Sequence, residues 1–480
     1  MPILLILLLT LACLPDSWPR PGSWIASPGV SVTLTWAAAG LLIGFAYLLS
    51  GRIRHHLEKE TMSRSKIVKS YYRGRRYHLF GLIGAFLLAL YVLGYGWGLH
   101  EIWQSNGELL PAVDVILLAP FIVALLLSWA AFYGAEEALE HFDDEDGFKS
   151  RWSYVVFHAR QNLALVILPL LLLLVEKELR RQIPAWRQLW DQYGSALGVI
   201  LALILFLIMP WLLRLVLGLK PLEQGPLRAR LEAASQRVGF RCSNILVWHT
   251  RNGVANAMVV GALPFLRYVL LSDRLLEDLT DEEVEAVFGH EIGHIKHHHM
   301  LLYLGFLMAS IFSFGLLLNP YLPELTRWLH LEGRQDLAAI PIVVALGSYI
   351  FLVFGFLSRR CERQADIFGC RTVSCRDFYC HGHQEGVALA PRGQGLCSTG
   401  IRVFCAALEK VGIINGVNRE KPGFFQSWQH STIARRVEFL QNLEKDPKQE
   451  SRFQRRVLLL KWSLFVILGG VALMDMIIGS

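Results

Sequence analysis

His290 and His294 stand four residues apart, with Glu291 directly after the first, in the run His290-Glu291-Ile292-Gly293-His294. On a helix that spacing puts both imidazoles on one face, where they can reach a single ion. Glu291 can then reach a metal-activated water without itself filling the coordination shell. The chemistry predicted is attack of that water on a carbonyl, with Glu291 as general base. A catalytic zinc takes three protein ligands and keeps one position open, so a third ligand is required. The metzincin continuation is excluded, because His297 and Met300 occupy its Gly and His positions. The other common solution is a Glu on a later helix. Glu362 and Asp366 are four apart in SRRCERQAD at 358–366. Glu362 is the expected third ligand, and Asp366 the acceptor that fixes the tautomer of a ligand histidine. An ordinary charged helix surface, paired through Arg359, Arg360 and Arg363, is the plain alternative.

The elements around these residues can be read locally. Thr280 followed by Glu283 makes a capping box. Val284, Phe288, Ile292 and Ile295 then recur with helical period. The predicted helix runs with little break into the apolar stretch 300–319. Upstream, 222–238 reads as an amphipathic helix, and 244–250, 256–261 and 267–272 read as short strands.

Composition explains what carries this machinery. Hydrophobic residues make up 53% of the 480 and charged residues only 18%, against about a quarter charged in soluble domains; mean hydropathy is +0.38. The chain holds eight apolar runs of bilayer length, near 31–50, 79–99, 109–133, 159–176, 194–218, 300–319, 338–357 and 457–479. The expected fold class is mainly α: a polytopic helical membrane protein of about eight spans with a small α+β catalytic domain. Its predicted parts are an apolar N-terminal segment (1–30), signal-like or a short anchor, and a multi-span domain (31–218). A first catalytic segment (219–299), two spans (300–357), a second catalytic segment (358–456) and a last span (457–480) follow. The loop 51–78 is rich in Lys and Arg while 100–108 has none, which places the catalytic segments on the cytoplasmic side. Lys177, Arg180, Arg181 and Arg187 run against that assignment. The net charge of +7 is explained by basic juxtamembrane segments facing anionic lipid, with no nucleic-acid partner.

The chain resembles the membrane-bound zinc metallopeptidases that include the type I CAAX prenyl proteases and the HtpX-like heat-shock proteases. The resemblance rests on HEIGH at 290–294 and SRRCERQAD at 358–366, separated by two apolar spans, and covers roughly 220–440. It implies a catalytic domain of gluzincin type. It also implies that His430 and Arg436, in QHSTIARRVEFL, contact the substrate carbonyl or the developing oxyanion. NAMVVG is similar to the edge strand that gluzincins pair with extended substrate, which makes Asn256 and Ala257 substrate-binding residues. The absence of a proline after His430 departs from many members and leaves the role of that residue open.

The expected function is zinc-dependent endopeptidase action on membrane-associated or lipid-modified peptides or proteins. The alternative is a zinc-binding membrane scaffold or transporter without hydrolysis, for which Asp114 and the Arg160 region are the only intramembrane ionisable candidates. Cys370, Cys375, Cys380, His381, His383 and Cys397 are candidates for a second, structural zinc, without the close pairs of known zinc modules. His297, His298 and His299 are expected to be solvated, as is the acidic run from Glu136 to Asp146.

Overall fold

The computed structural model describes residues 12, 18, 20–22, 25–59, 63–105, 108–140, 148–251, 253–318, 321–328, 335–375, 396–421, 428–446 and 448–478. The chain divides into two compact units, Met1–Leu205 and Phe206–Ser480. Among the described residues four helices are long and apolar enough to cross a membrane, or up to six if two bent pairs each count as one span. The stretch 159–176, and 457–479 as far as Ile478, lie in long helices that are not among those six.

The first unit is a helical bundle of α1 (Pro28–Glu58), α2 (Arg64–Tyr91), α3 (Tyr95–Ile102), α4 (Val113–Glu140) and α5 (Arg151–Gln182), with a two-residue hairpin, β1 (Gln104–Ser105) and β2 (Glu108–Leu109). Gly94, at φ +65°, breaks α2 from α3, as an achiral residue permits. The core is apolar, centred on Leu90, Tyr95, Leu117 and Phe121. Polar pairings are set within the bundle. Asp114 is buried against Lys177 (3.2 Å) and Arg181 (2.7 Å). Glu136, expected to be solvated, instead packs inside the bundle, 3.3 Å from Arg75 and bonded by the Tyr71 hydroxyl. A basic side chain reaching across from α2 outweighs the local acidic character of its own segment.

Helix α6 (Pro184–Leu217) carries the chain across the division. The second unit has a four-stranded sheet of β3 (Lys220–Pro221), β4 (Asn244–Trp248), β5 (Ala257–Val260) and β6 (Tyr268–Ser272), in the order β3-β4-β6-β5. β4 and β6 are parallel and the other pairs antiparallel, so β5 is an edge. The sheet packs with α7 (Pro226–Arg237), α8 (Asp273–Asp278) and α9 (Asp281–Lys296). Thr280 and Glu283 close the capping box at the start of α9. Val284, Phe288 and Ile292 are its buried stripe. The chain continues through α10 (His299–Leu318), α11 (Leu322–Trp328), α12 (Gln335–Thr372), α13 (Ser398–Ile414), α14 (Ile433–Lys445) and α15 (Lys448–Ile478).

The expectation of little break between α9 and the next apolar stretch is corrected. His298 adopts φ +55° and the two helices bend by 45°. Helix α12 does run unbroken from its apolar half through 358–366. It meets α9 at close range, because Gly293 carries no Cβ: one built there would lie 3.0 Å from the Cα of Ala365. Gly369 makes the reciprocal approach, 2.9 Å from the Ala286 carbonyl oxygen on the same measure.

Candidate active site

That close crossing brings the predicted ligands together. The Nε2 atoms of His290 and His294 face each other at 3.3 Å. Glu362 Oε1 is 3.5 Å from His294 Nε2, and Glu362 Oε2 is 3.8 Å from His290 Nε2. Among the described residues these three are the one group able to hold a metal. The arrangement fits zinc: ligand atoms about 2.0–2.1 Å from a tetrahedral ion lie roughly 3.3–3.4 Å apart.

Two of the three candidate ligands, His290 and Glu362, are held from behind. Asp366, fully buried, sits 3.0 Å from His290 Nδ1, an arrangement that presents Nε2 of that ring to the metal. Arg436 from α14 grips Asp366 with Nε (2.9 Å) and Nη2, and its Nη1 lies 3.7 Å from Glu362. His430 Nδ1 is 2.9 Å from Glu362 Oε2, with 57% of its side chain exposed. The turn carrying His430 is clamped to α12, where the Trp428 ring stacks on Phe351 at 4.4 Å. Trp428 Nε1 donates to the Phe351 carbonyl, and Arg359 donates to the Trp428 carbonyl.

Glu291 points at the same centre. Its Oε2 accepts the backbone N–H of Val259 at 3.2 Å, which ties it to edge strand β5. Burial pushes its carboxyl up to about 7; the Glu362 charge adds to the rise, and His290 and the Val259 N–H oppose it. A cavity of about 730 Å³ opens over these residues, bordered by Asn256, Ala257, Met258, His430 and Arg436 and floored by Phe404, Leu408 and Val411. The approach to β5 is fixed from a distance: the Asn415 side chain accepts the N–H of Ala255 (3.0 Å) and donates to its carbonyl (2.8 Å).

The predicted residues His290, Glu291, His294, Glu362, Asp366, Asn256, Ala257, His430 and Arg436 therefore border one centre. Arg436 is placed differently from what the resemblance implies, since its guanidinium is committed to two carboxylates. Of the cysteine cluster, Cys370 is buried among apolar side chains and Cys397 caps α13 through its sulfur. Cys375 is half-buried, while Cys380, His381 and His383 lie outside the described residues. His299, expected to be solvated, is fully buried. Its Nδ1 lies 3.0 Å from His294 Nδ1, and its Nε2 lies 3.2 Å from Gln364 Oε1. The bend at His298 turns it inward, and nothing in a run of three histidines announces which one that will be. Gly293 and Asn415 were also missed; the small residue beside a ligand histidine was the available signal for the first.

A helix bearing two histidines and a glutamate, crossed by a second helix bearing Glu362, is an arrangement able to hold a metal. Residues 221–444 match the family described as Peptidase family M48. The chain is 30% identical over 199 residues to the uncharacterized metalloprotease YhfN of Bacillus subtilis, covering 39% of this chain and 46% of that protein. It is 31% identical over 185 residues to a protease HtpX homolog of Archaeoglobus fulgidus (37% and 50% covered). A CAAX prenyl protease 1 homolog of Dictyostelium discoideum is 32% identical over 195 residues (38% and 45%). The chain thus spans about half the length of the curated relatives it matches. The crystal structure of S. mikatae Ste24p shares the fold, with a TM-score of 0.52 at 17% identity, over 88% of this chain and 100% of that one.

Proposed function

We propose that the chain is an integral-membrane zinc endopeptidase acting on membrane-associated or lipid-modified peptides and proteins. The observation that carries the reading is the convergence of His290, His294 and Glu362, with Glu291 beside them and tied to an edge strand. When bound there, zinc supplies a Lewis acid that polarises a carbonyl and makes water nucleophilic near neutral pH. Glu291 takes the proton from the attacking water and returns it to the leaving nitrogen. His430, half-exposed at the cavity, is the donor available to a developing oxyanion, whereas Arg436 holds Asp366 and through it His290. Edge strand β5 lays an extended substrate across the site by strand addition, starting at Asn256 and Ala257.

On this reading the catalytic segments face the cytoplasm, as the Lys- and Arg-rich loop 51–78 suggests. Of the basic residues that run against it, Lys177 and Arg181 pair with Asp114 and Arg180 pairs with Glu176.

The test uses the purified chain in lipid vesicles, with peptides ending in a prenylated cysteine and with unfolded membrane protein as substrates. Wild type should carry one zinc and cleave one of these classes. Glu291→Gln should keep the zinc and lose turnover by at least a hundredfold. Retained turnover removes Glu291 as base, and a wild type that takes up no zinc returns the reading to a non-hydrolytic scaffold or transporter.

A further inference from the structure

The surroundings of His299 contain a chain of hydrogen-bonding side chains whose proton directions follow from the orientation of two amides. It starts at ligand His294, passes through His299 and Gln364, and ends at Gln454 on α15. Gln364 donates through its Nε2 to the Gln454 side-chain oxygen, so its own Oε1 faces His299 Nε2 at 3.2 Å. An amide oxygen only accepts, and so His299 Nε2 must carry a proton. A neutral imidazole has one donor and one acceptor, which leaves His299 Nδ1 as an acceptor. The atom facing it at 3.0 Å is Nδ1 of His294, which must therefore carry the proton of that ring. The lone pair of His294 is then on Nε2, the atom turned toward His290 and Glu362.

We infer that His299 is a positioning residue of the metal site: with Gln364 it sets the tautomer and ring orientation in which His294 ligates zinc. The inference rests on the zinc reading above and adds to it. The two ligand histidines are then oriented by unlike means, His290 by the charged Asp366 and His294 by a neutral chain. The neutral device suits its place. His299 is fully buried and stacks near Tyr303 and His297, where a further carboxylate would stand unpaired at a cost of several kcal/mol. The chain also links the centre to α15.

The test compares zinc affinity, by competition with a chromogenic chelator, in detergent-purified wild type, His299→Asn, His299→Leu and Gln364→Met. Asn places an acceptor oxygen near the former Nδ1 and is expected to bind zinc within about threefold of wild type. Leu fills similar space with no acceptor and is expected to bind roughly 10–100-fold more weakly, the range for loss of a partner behind a ligand histidine. Gln364→Met leaves the imidazole in place and removes only the oxygen that sets its proton; about tenfold weaker binding is expected. Melting of the metal-free forms is measured alongside, and His299→Asn and His299→Leu should melt together. Equal zinc affinity of His299→Leu and wild type overturns the inference. So does a loss in His299→Asn as large as in His299→Leu, which marks a space-filling role. If His299→Leu does not fold, unchanged affinity in Gln364→Met overturns it alone. A wild type that binds no zinc overturns the metallopeptidase reading itself, and the inference with it.

Discussion

Replacing Arg436 by Leu separates two roles for that residue, holding the metal site together or contacting substrate. Arg436 is 8% exposed and makes two hydrogen bonds to Asp366, which is fully buried. Removing it leaves the Asp366 carboxylate against a single imidazole, with Glu362 close by. Breaking a buried pair from one side costs about 3–5 kcal/mol, because the surviving charge cannot reach water. Spread over a unit of this size, that lowers the melting temperature by roughly 6–20 °C. The misplaced Asp366 should also weaken zinc binding by about tenfold or more through His290. The assay is thermal unfolding of the purified protein in detergent, with and without zinc, for Arg436→Leu, Asp366→Asn and the double variant. Because the two side chains face each other, their losses should not add, and the double variant should fall short of the sum by at least about 1 kcal/mol. If Arg436→Leu melts and binds zinc as wild type does but loses turnover, the structural role is refuted and Arg436 acts on substrate.

Gly293→Ala gains about 1 kcal/mol of helix propensity but sets a methyl 2.9 Å from the Phe368 Cβ and 3.0 Å from the Ala365 Cα, so α12 must recede. Zinc affinity should fall by about tenfold while melting moves little, and unchanged affinity would show that the crossing tolerates the methyl. Glu285, 2% exposed on α9, receives Arg230 and Arg237 from α7. Glu285→Ala should cost about 1–3 kcal/mol, less than a fully buried pair because both guanidiniums can turn to solvent; turnover per zinc-loaded molecule should stay as in wild type. Removing zinc with a chelator should lower stability by about 2.7 kcal/mol relative to zinc at a hundred times its dissociation constant, and a melting curve indifferent to the chelator would count against the site.

Much of the centre was legible because it is local. A capping box, an apolar stripe and two histidines on one turn belong to a single helix, and a helix obeys its own sequence. The Glu362–Asp366 pair has the same character, and so do the strands around Leu246, Val259 and Leu270, whose ends fall within two residues of the expected ones. What the letters could not say concerns contacts across many residues. His299 is separated by 65 residues from Gln364, Arg436 by 70 from Asp366, and Asn415 by 160 from Ala255. Each is an ordinary polar residue until the chain crossing gives it a partner. Local periodicity determined which residues face which side of a helix; only the packing of α9 on α12, set by two glycines that let backbones touch, decided which of those faces became one metal site.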